Sequence, residues 1–134
     1  MKLSSKSITA IKMFIDLGEH YSENYISLLD ISKRKDISKK FLEQIVPLYK
    51  NAGLILGNRG NQGGYRLAKT PNQITLKDIV YITENIFGKI NSGSLPIDET
   101  FDNLDSLMDE YLTKITLENL VEKQILSYSN SYYI

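Results

Sequence analysis

Residues 52–67 set two short apolar runs on either side of a turn that is half glycine. Leu54 to Leu56 suit a strand, and Tyr65 and Leu67 alternate with Arg66 in the two-residue period of a half-buried strand. Between them Arg59, Gly60, Asn61, Gln62, Gly63 and Gly64 supply residues that tolerate positive φ. A small hairpin of this kind, directly behind two short helices, is the layout of a winged helix-turn-helix. An arginine at its tip points it toward DNA.

The residues before the hairpin read as those helices. Over 5–17, Ile8, Ile11 and Ile15 share a face and Ala10, Phe14 and Leu17 lie beside it, so the first helix is expected to be well buried, with Gly18 as its stop. Residues 19–24 read as a polar loop. Ser27 with Asp30 three residues on resembles a capping box. Lys33, Arg34 and Lys35 then close the second helix, where cations suit its dipole. Ser38 caps a third helix whose inner face is Phe41, Leu42, Ile45, Tyr49 and Ala52. Pro47 falls inside it and predicts a bend or loosened turn over 43–47.

Beyond the hairpin, Thr75 and Asp78 form another capping-box pattern, opening a helix through Ile79, Val80 and Ile82. Residues 88–96 read as a loop rich in Gly, Asn, Ser and Pro. A longer helix is expected over about 101–114, with Leu104, Met108, Tyr111 and Ile115 at helical spacing and acidic residues elsewhere. Residues 116–121 are read as one more turn. The fold class is therefore mainly α with a small β-hairpin. A winged helix-turn-helix spans 1–83, a flexible loop 84–100, and a dimerisation helix with a C-terminal tail 101–134.

Composition narrows the function. The net charge is zero, but residues 1–83 hold 13 Lys/Arg against 7 Asp/Glu, and residues 84–134 hold 3 against 9. The first part suits a polyanion and the second repels it. No 18-residue apolar run is present, so no membrane span is expected, and a cytoplasmic address fits. There is no cysteine and one histidine, His20, placed in a loop, which leaves no His/Cys pattern for a metal. No nucleophile–base or phosphate-cradling pattern occurs, so an enzyme is not expected and no cofactor is called for.

The candidate DNA contacts follow from chemistry. On the third helix Glu43 can accept from a cytosine amino group, and Gln44 or Lys40 can meet purine edges. Lys39, Lys50 and the Ser38 hydroxyl suit phosphates, which fix register rather than sequence. A carboxylate on a basic face repels phosphate, so Glu43 needs a reason such as a base contact. At the hairpin tip Arg59 suits a narrow minor groove, flanked by Asn61 and Gln62, with Gly60, Gly63 and Gly64 allowing close backbone approach. The stripe of Leu104, Met108, Tyr111 and Ile115 reads as a dimer seam, since a helix so far along a small domain has little left to pack on. Dimerisation would set two reading helices on a pseudo-palindromic operator. A sensor of the same build with a small-molecule effector, or a winged-helix module that binds protein instead of DNA, remain alternatives.

Several motifs carry a family resemblance: Lys2-Leu3-Ser4, Phe41-Leu42-Glu43-Gln44-Ile45, Ala52-Gly53-Leu54-Ile55, and Arg59-Gly60 with Gly63-Gly64-Tyr65-Arg66-Leu67. Ile74-Thr75-Leu76 with Asp78-Ile79, and Thr116-Leu117 with Leu120, extend it along nearly the whole chain. Together they resemble the bacterial IscR/NsrR/CymR-type regulators, the Rrf2 family. The resemblance implies a dimeric winged-helix transcription factor, usually a repressor, that reads DNA through positions matching 38–44 and contacts it with Arg59. Members that bind an iron–sulfur cluster carry three cysteines in the loop that is 88–100 here, and this loop has none. A sensor of that kind is thereby excluded. Lys6-Ser7-Ile8-Thr9 stands where the family has Lys-Gly-Arg-Tyr, which removes one cation and one aromatic from the first helix. Among members without a cluster, the chain is similar to the cysteine-metabolism repressors of the CymR type. Its Tyr132-Tyr133-Ile134 end resembles tails that dock in cysteine synthase, which implies that enzyme as a partner through Tyr133 and Ile134.

Overall fold

The computed structural model describes residues 2–84 and 97–131. The described residues form six helices and one hairpin: α1 (Ser5–Glu19), α2 (Leu28–Lys35), α3 (Lys39–Asn51), β1 (Ile55–Asn58), β2 (Gly64–Leu67), α4 (Leu76–Thr83), α5 (Ile97–Lys114) and α6 (Leu117–Ser131). One 3-10 turn, Pro71–Gln73, links the hairpin to α4.

The core forms around α1. Its Ala10, Met13, Phe14 and Leu17 are fully covered and meet Ile31 of α2, Leu42, Ile45, Val46 and Tyr49 of α3, and Ile79 of α4. Each of the Met, Phe, Leu, Ile and Val side chains contributes about 1.5–3 kcal/mol on leaving water. Phe14 and Tyr49 pack edge to face with ring centroids 4.8 Å apart. The Tyr49 hydroxyl donates to the Ile79 carbonyl at 2.6 Å, and burial pushes its pKa up to about 12. The buried face of α1 is turned from the expected one. Ile8 is exposed, whereas Ser7 and Asp16 are buried. Both polar groups are partnered: Asp16 takes a bidentate pair from Arg34 of α2 at 2.9 Å, and Ser7 meets Thr83 and Glu84 at the end of α4.

Gly18 does not stop α1, which continues to Glu19 and is closed by His20 as its C-cap. The glycine serves packing instead. A Cβ there would lie 2.7 Å from Val121 Cγ2 of α6. His20 Nδ1 lies 2.9 Å from the Asp16 carbonyl, so the histidine belongs to the helix end rather than to a loop.

The C-terminal part differs most from expectation. Helix α5 starts at Ile97, so residues 97–100 of the expected loop are helical, while 85–96 lie outside the described residues. In place of one turn, α6 is a 15-residue helix. Leu117, Leu120, Val121, Ile125 and Tyr128 recur along it at helical spacing, and among its described side chains only Leu117 is fully buried. Residues 74–76 and 115–117 pair as a short bridge, with Leu76 N–H donating to the Ile115 carbonyl at 2.8 Å and Leu117 N–H to that of Ile74 at 2.7 Å. This bridge fixes the α5–α6 junction on the start of α4, whose Thr75–Asp78 capping box is formed as expected. Lys77 and the Tyr81 hydroxyl then reach Asp109 of α5 at 2.5 and 3.1 Å and hold its carboxyl below its usual pKa.

Candidate nucleic-acid interface

Helices α2 and α3 meet through a three-residue turn, 36–38. Asp36 adopts the left-handed conformation (φ 52°), which an Asp tolerates better than most residues, and Ile37 N–H closes the turn on the Ser32 carbonyl at 3.1 Å. Ser38 then caps α3 by accepting from Phe41 N–H at 3.2 Å. Behind the cap, Leu42, Ile45, Val46 and Tyr49 anchor α3 in the core, so its opposite face is turned outward. That face begins with Lys39, Lys40, Glu43 and Gln44, all exposed. Val46 was missing from the expected inner face, and Ala52 of that set is exposed. The helix is α-helical without a break through Pro47, so no loosened turn appears. The carbonyl that Pro47 leaves without a donor is that of Glu43, an exposed residue on the outward face of the helix.

Glu43 has a partner within its own helix. Lys39 Nζ lies 3.5 Å from its carboxylate one turn back, and both side chains are exposed. This i,i+4 pair gives the carboxylate a reason to sit on a basic face that the sequence reading did not weigh. A surface pair of this kind contributes about 0.3–0.5 kcal/mol and yields readily to a better partner.

The wing is an antiparallel ladder with Ile55 opposite Leu67 and Asn58 opposite Gly64. Ile26 adds a bridge on the far side of β2, exchanging both backbone hydrogen bonds with Tyr65 at 2.8 Å. This approach is what Gly64 serves. A Cβ on it would stand 2.3 Å from the Ile26 carbonyl oxygen. Gly63 is likewise closed in by the carbonyls of Asn58 and Gly60, so of the three glycines expected to admit DNA only Gly60 (φ +111°) faces open space. Arg59, Asn61 and Gln62 are exposed at the tip. Lys50 sits apart from the start of α3. It reaches over β1, where a Cβ on Gly57 would be 3.4 Å from its Nζ. A polar cleft of about 750 Å³ runs beneath the tip, between Glu23, Asn24 and Tyr25 on one wall and Asn58, Asn61 and Gln62 on the other.

The expected seam residues lie on α5, in which no residue is buried. Leu104 and Tyr111 are exposed, Met108 is half-buried, and Ile115 is drawn into the bridge with α4. Tyr133 and Ile134 lie outside the described residues. Among the described residues no helix is long and apolar enough to cross a membrane.

A reading helix held by its inner face, a tight turn and a wing braced against the segment before α2 define a winged helix-turn-helix, the build of a DNA-binding transcriptional regulator. The family described as "Rrf2: Iron-dependent Transcriptional regulator" matches residues 3–123, and the chain belongs to it. It is 30% identical over 140 residues to the HTH-type transcriptional regulator IscR of Vibrio parahaemolyticus, covering 97% of this chain and 83% of that one. The protein Rrf2 of Nitratidesulfovibrio vulgaris is 37% identical over 86 residues, 64% of this chain and 57% of that protein. Among solved structures, CymR, titled the global cysteine regulator of Bacillus subtilis, superposes with a TM-score of 0.79 at 31% identity over 92% of this chain and 98% of that one. Of these, IscR is named as a transcriptional regulator and CymR as a regulator. The iron in the family's description finds no fit here. The 134 residues hold no cysteine and one histidine, and among the described residues no three His, Asp or Glu side chains gather to hold a metal.

Proposed function

We propose that the protein is a homodimeric, sequence-specific DNA-binding repressor that works without an iron–sulfur cluster. The observation that carries this is the exposure of two polar surfaces on rigidly held elements. One is the first turn and a half of α3, with Lys39, Lys40, Glu43 and Gln44, and the other is the wing tip, with Arg59, Asn61 and Gln62. In this reading α3 enters a major groove, Lys40, Glu43 and Gln44 meet base edges, and Ser38, Lys39 and Lys50 meet phosphates. Arg59 reaches the adjacent minor groove. The bare apolar stripe on α5 is the seam with a second copy. Arg59→Ala is expected to weaken operator binding by about 1–3 kcal/mol. Parental affinity in that variant would remove the wing from the reading. Retention on random duplex that falls with rising salt separates a DNA binder from a module that binds protein.

The regulon is proposed to be cysteine or sulfur metabolism, on the likeness to CymR and on the absence of cluster-ligating thiolates. The same likeness suggests cysteine synthase as a partner through Tyr133 and Ile134. Deleting those two residues should abolish binding to the enzyme, and an intact chain that does not bind it overturns the idea. Genome-wide mapping of bound sites tests the regulon.

A further inference from the structure

Two arginines lie in the wing, and the structure gives them different work. Arg59 is exposed at the tip. Arg66, midway along β2, turns away from the tip to the segment before α2. Its Nη1 donates to the Glu23 carbonyl at 3.2 Å, and its guanidinium lies over the Tyr25 ring, 5.1 Å from the centroid. Its Nε is buried with no hydrogen-bond partner, so the side chain gives up solvation to hold this place. One residue along, Ile26 and Tyr65 exchange both backbone hydrogen bonds, and Gly64 packs against the Ile26 carbonyl. Arg66 therefore clamps 23–26 to β2 at the base of the wing. That segment is also one wall of the cleft whose other wall carries Asn61 and Gln62.

We infer that Arg66 is a positioning residue for operator recognition: it sets the wing against the segment before α2 and makes no contact with DNA itself. A two-stranded ribbon with a five-residue tip is free to swing about its base unless something besides its own ladder holds it. The Ile26 bridge holds the backbone at one point. Arg66, through the Glu23 carbonyl and the Tyr25 ring, adds a second point of attachment and resists rotation about the first. A planar, forked cation is suited to this, since one group can stack on a ring and donate to a carbonyl together. This inference rests on the wing reading given above.

The test compares Arg66→Ala, Arg66→Lys, Tyr25→Leu and the double variant Arg66→Ala/Tyr25→Leu with Arg59→Ala. Operator and random duplex are titrated across a salt series, well below each variant's melting temperature. Arg66→Ala is expected to lose operator affinity by about tenfold, the size of one coupled contact. Its salt slope and its affinity for random duplex should stay parental. Tyr25→Leu should show a similar loss, the double variant no further loss, and lysine at 66 no rescue. If Arg66 touches a phosphate, Arg66→Ala instead lowers affinity for both duplexes, flattens the salt slope by about one, and is rescued by lysine. If its role is only to stabilise the fold, the melting temperature falls while operator affinity stays parental. Either result overturns the inference. Loss of wing function itself is read separately, from an Arg59→Ala variant that binds as the parent does.

Discussion

The residues before 84 and those after 97 treat their apolar side chains in opposite ways. In the first region Phe14, Leu17, Ile31, Leu42, Ile45, Tyr49, Ile55, Ile74 and Ile79 are almost completely covered. In the second, among the described residues, only Leu117 is buried, and Ile97, Phe101, Leu104, Leu107, Tyr111, Ile125, Leu126 and Tyr128 remain exposed. A helix face this apolar is rarely left to water in a monomer. The core of the winged region takes in Leu117 and Val121 from the start of α6, whereas most of the apolar side chains of α5 and the rest of α6 are left as open surface. The charge split runs along the same line: the well-covered region is basic and the open one acidic.

Breaking the second region should have the largest effect on function and almost none on the first region's fold. Leu107 is 63% exposed, and with Met108, Tyr111 and Leu112 it lines an apolar hollow on α5. Leu107→Asp adds a charge that costs little in water and much in a seam. The expected result is a monomer at micromolar concentration by light scattering, with an unchanged melting transition. Operator affinity should drop by about a hundredfold or more as two-site binding is lost. A dimer that persists in this variant would show that the open face of α5 is not the seam.

Breaking the first region calls for a change where backbone meets backbone. Gly64→Ala places a methyl 2.3 Å from the Ile26 carbonyl oxygen and 2.5 Å from its carbon, neither of which is a flexible side-chain end. We expect a loss of about 3 kcal/mol by chemical denaturation, at the upper end of overpacking effects. Gly60→Ala is the control: it has open space around it and meets only the backbone penalty of its φ of +111°, about 1 kcal/mol. Equal losses at the two positions would mean that conformation, not the approach of Ile26, dictates Gly64.

What was legible in the sequence divides along the same boundary. The turn, cap and wing of the first region are written in residues whose local chemistry admits few alternatives: Ser38 and the Thr75–Asp78 box cap as read, Ser27 caps α2 through its side chain, and the glycine-rich turn joins two paired strands. The errors there came from neighbours distant in sequence. Ser7 and Asp16 are buried because Glu84, Thr83 and Arg34 lie across from them, and Gly18 is small because Val121 packs on it. Such pairs carry no local period. In the second region α6 runs well past the single expected turn, and its Leu117, Leu120, Val121, Ile125 and Tyr128 keep helical spacing, so its length was legible in the sequence. Arg66 was legible as an outward position in a strand, but not as a clamp on Tyr25 and Glu23, forty residues earlier.

The smallest effect sits at the boundary itself. Glu84 ends α4, and its carboxylate accepts from the Ser7 hydroxyl at 2.6 Å and from the Ser4 backbone N–H at 3.1 Å. These donors, the Ser7 hydroxyl first, hold its pKa below the ordinary value of 4.5. A carboxyl whose folded-state pKa is depressed adds stability that is fully present above its unfolded value and fades as pH falls through the folded one. Glu84→Gln keeps the shape and removes the charge, so its melting temperature should lie below the parent's at pH 7. The gap should stay constant down to about pH 5 and shrink below the unfolded value of about 4.5. Because the group is near solvent the gap should be modest, and it should narrow little with salt if the short hydroxyl bond, rather than long-range charge, is its source. Melting curves that stay parallel from pH 7 to pH 3 would mean that the carboxylate contributes nothing as an ion, and that Ser7 is held to α4 by Thr83 alone.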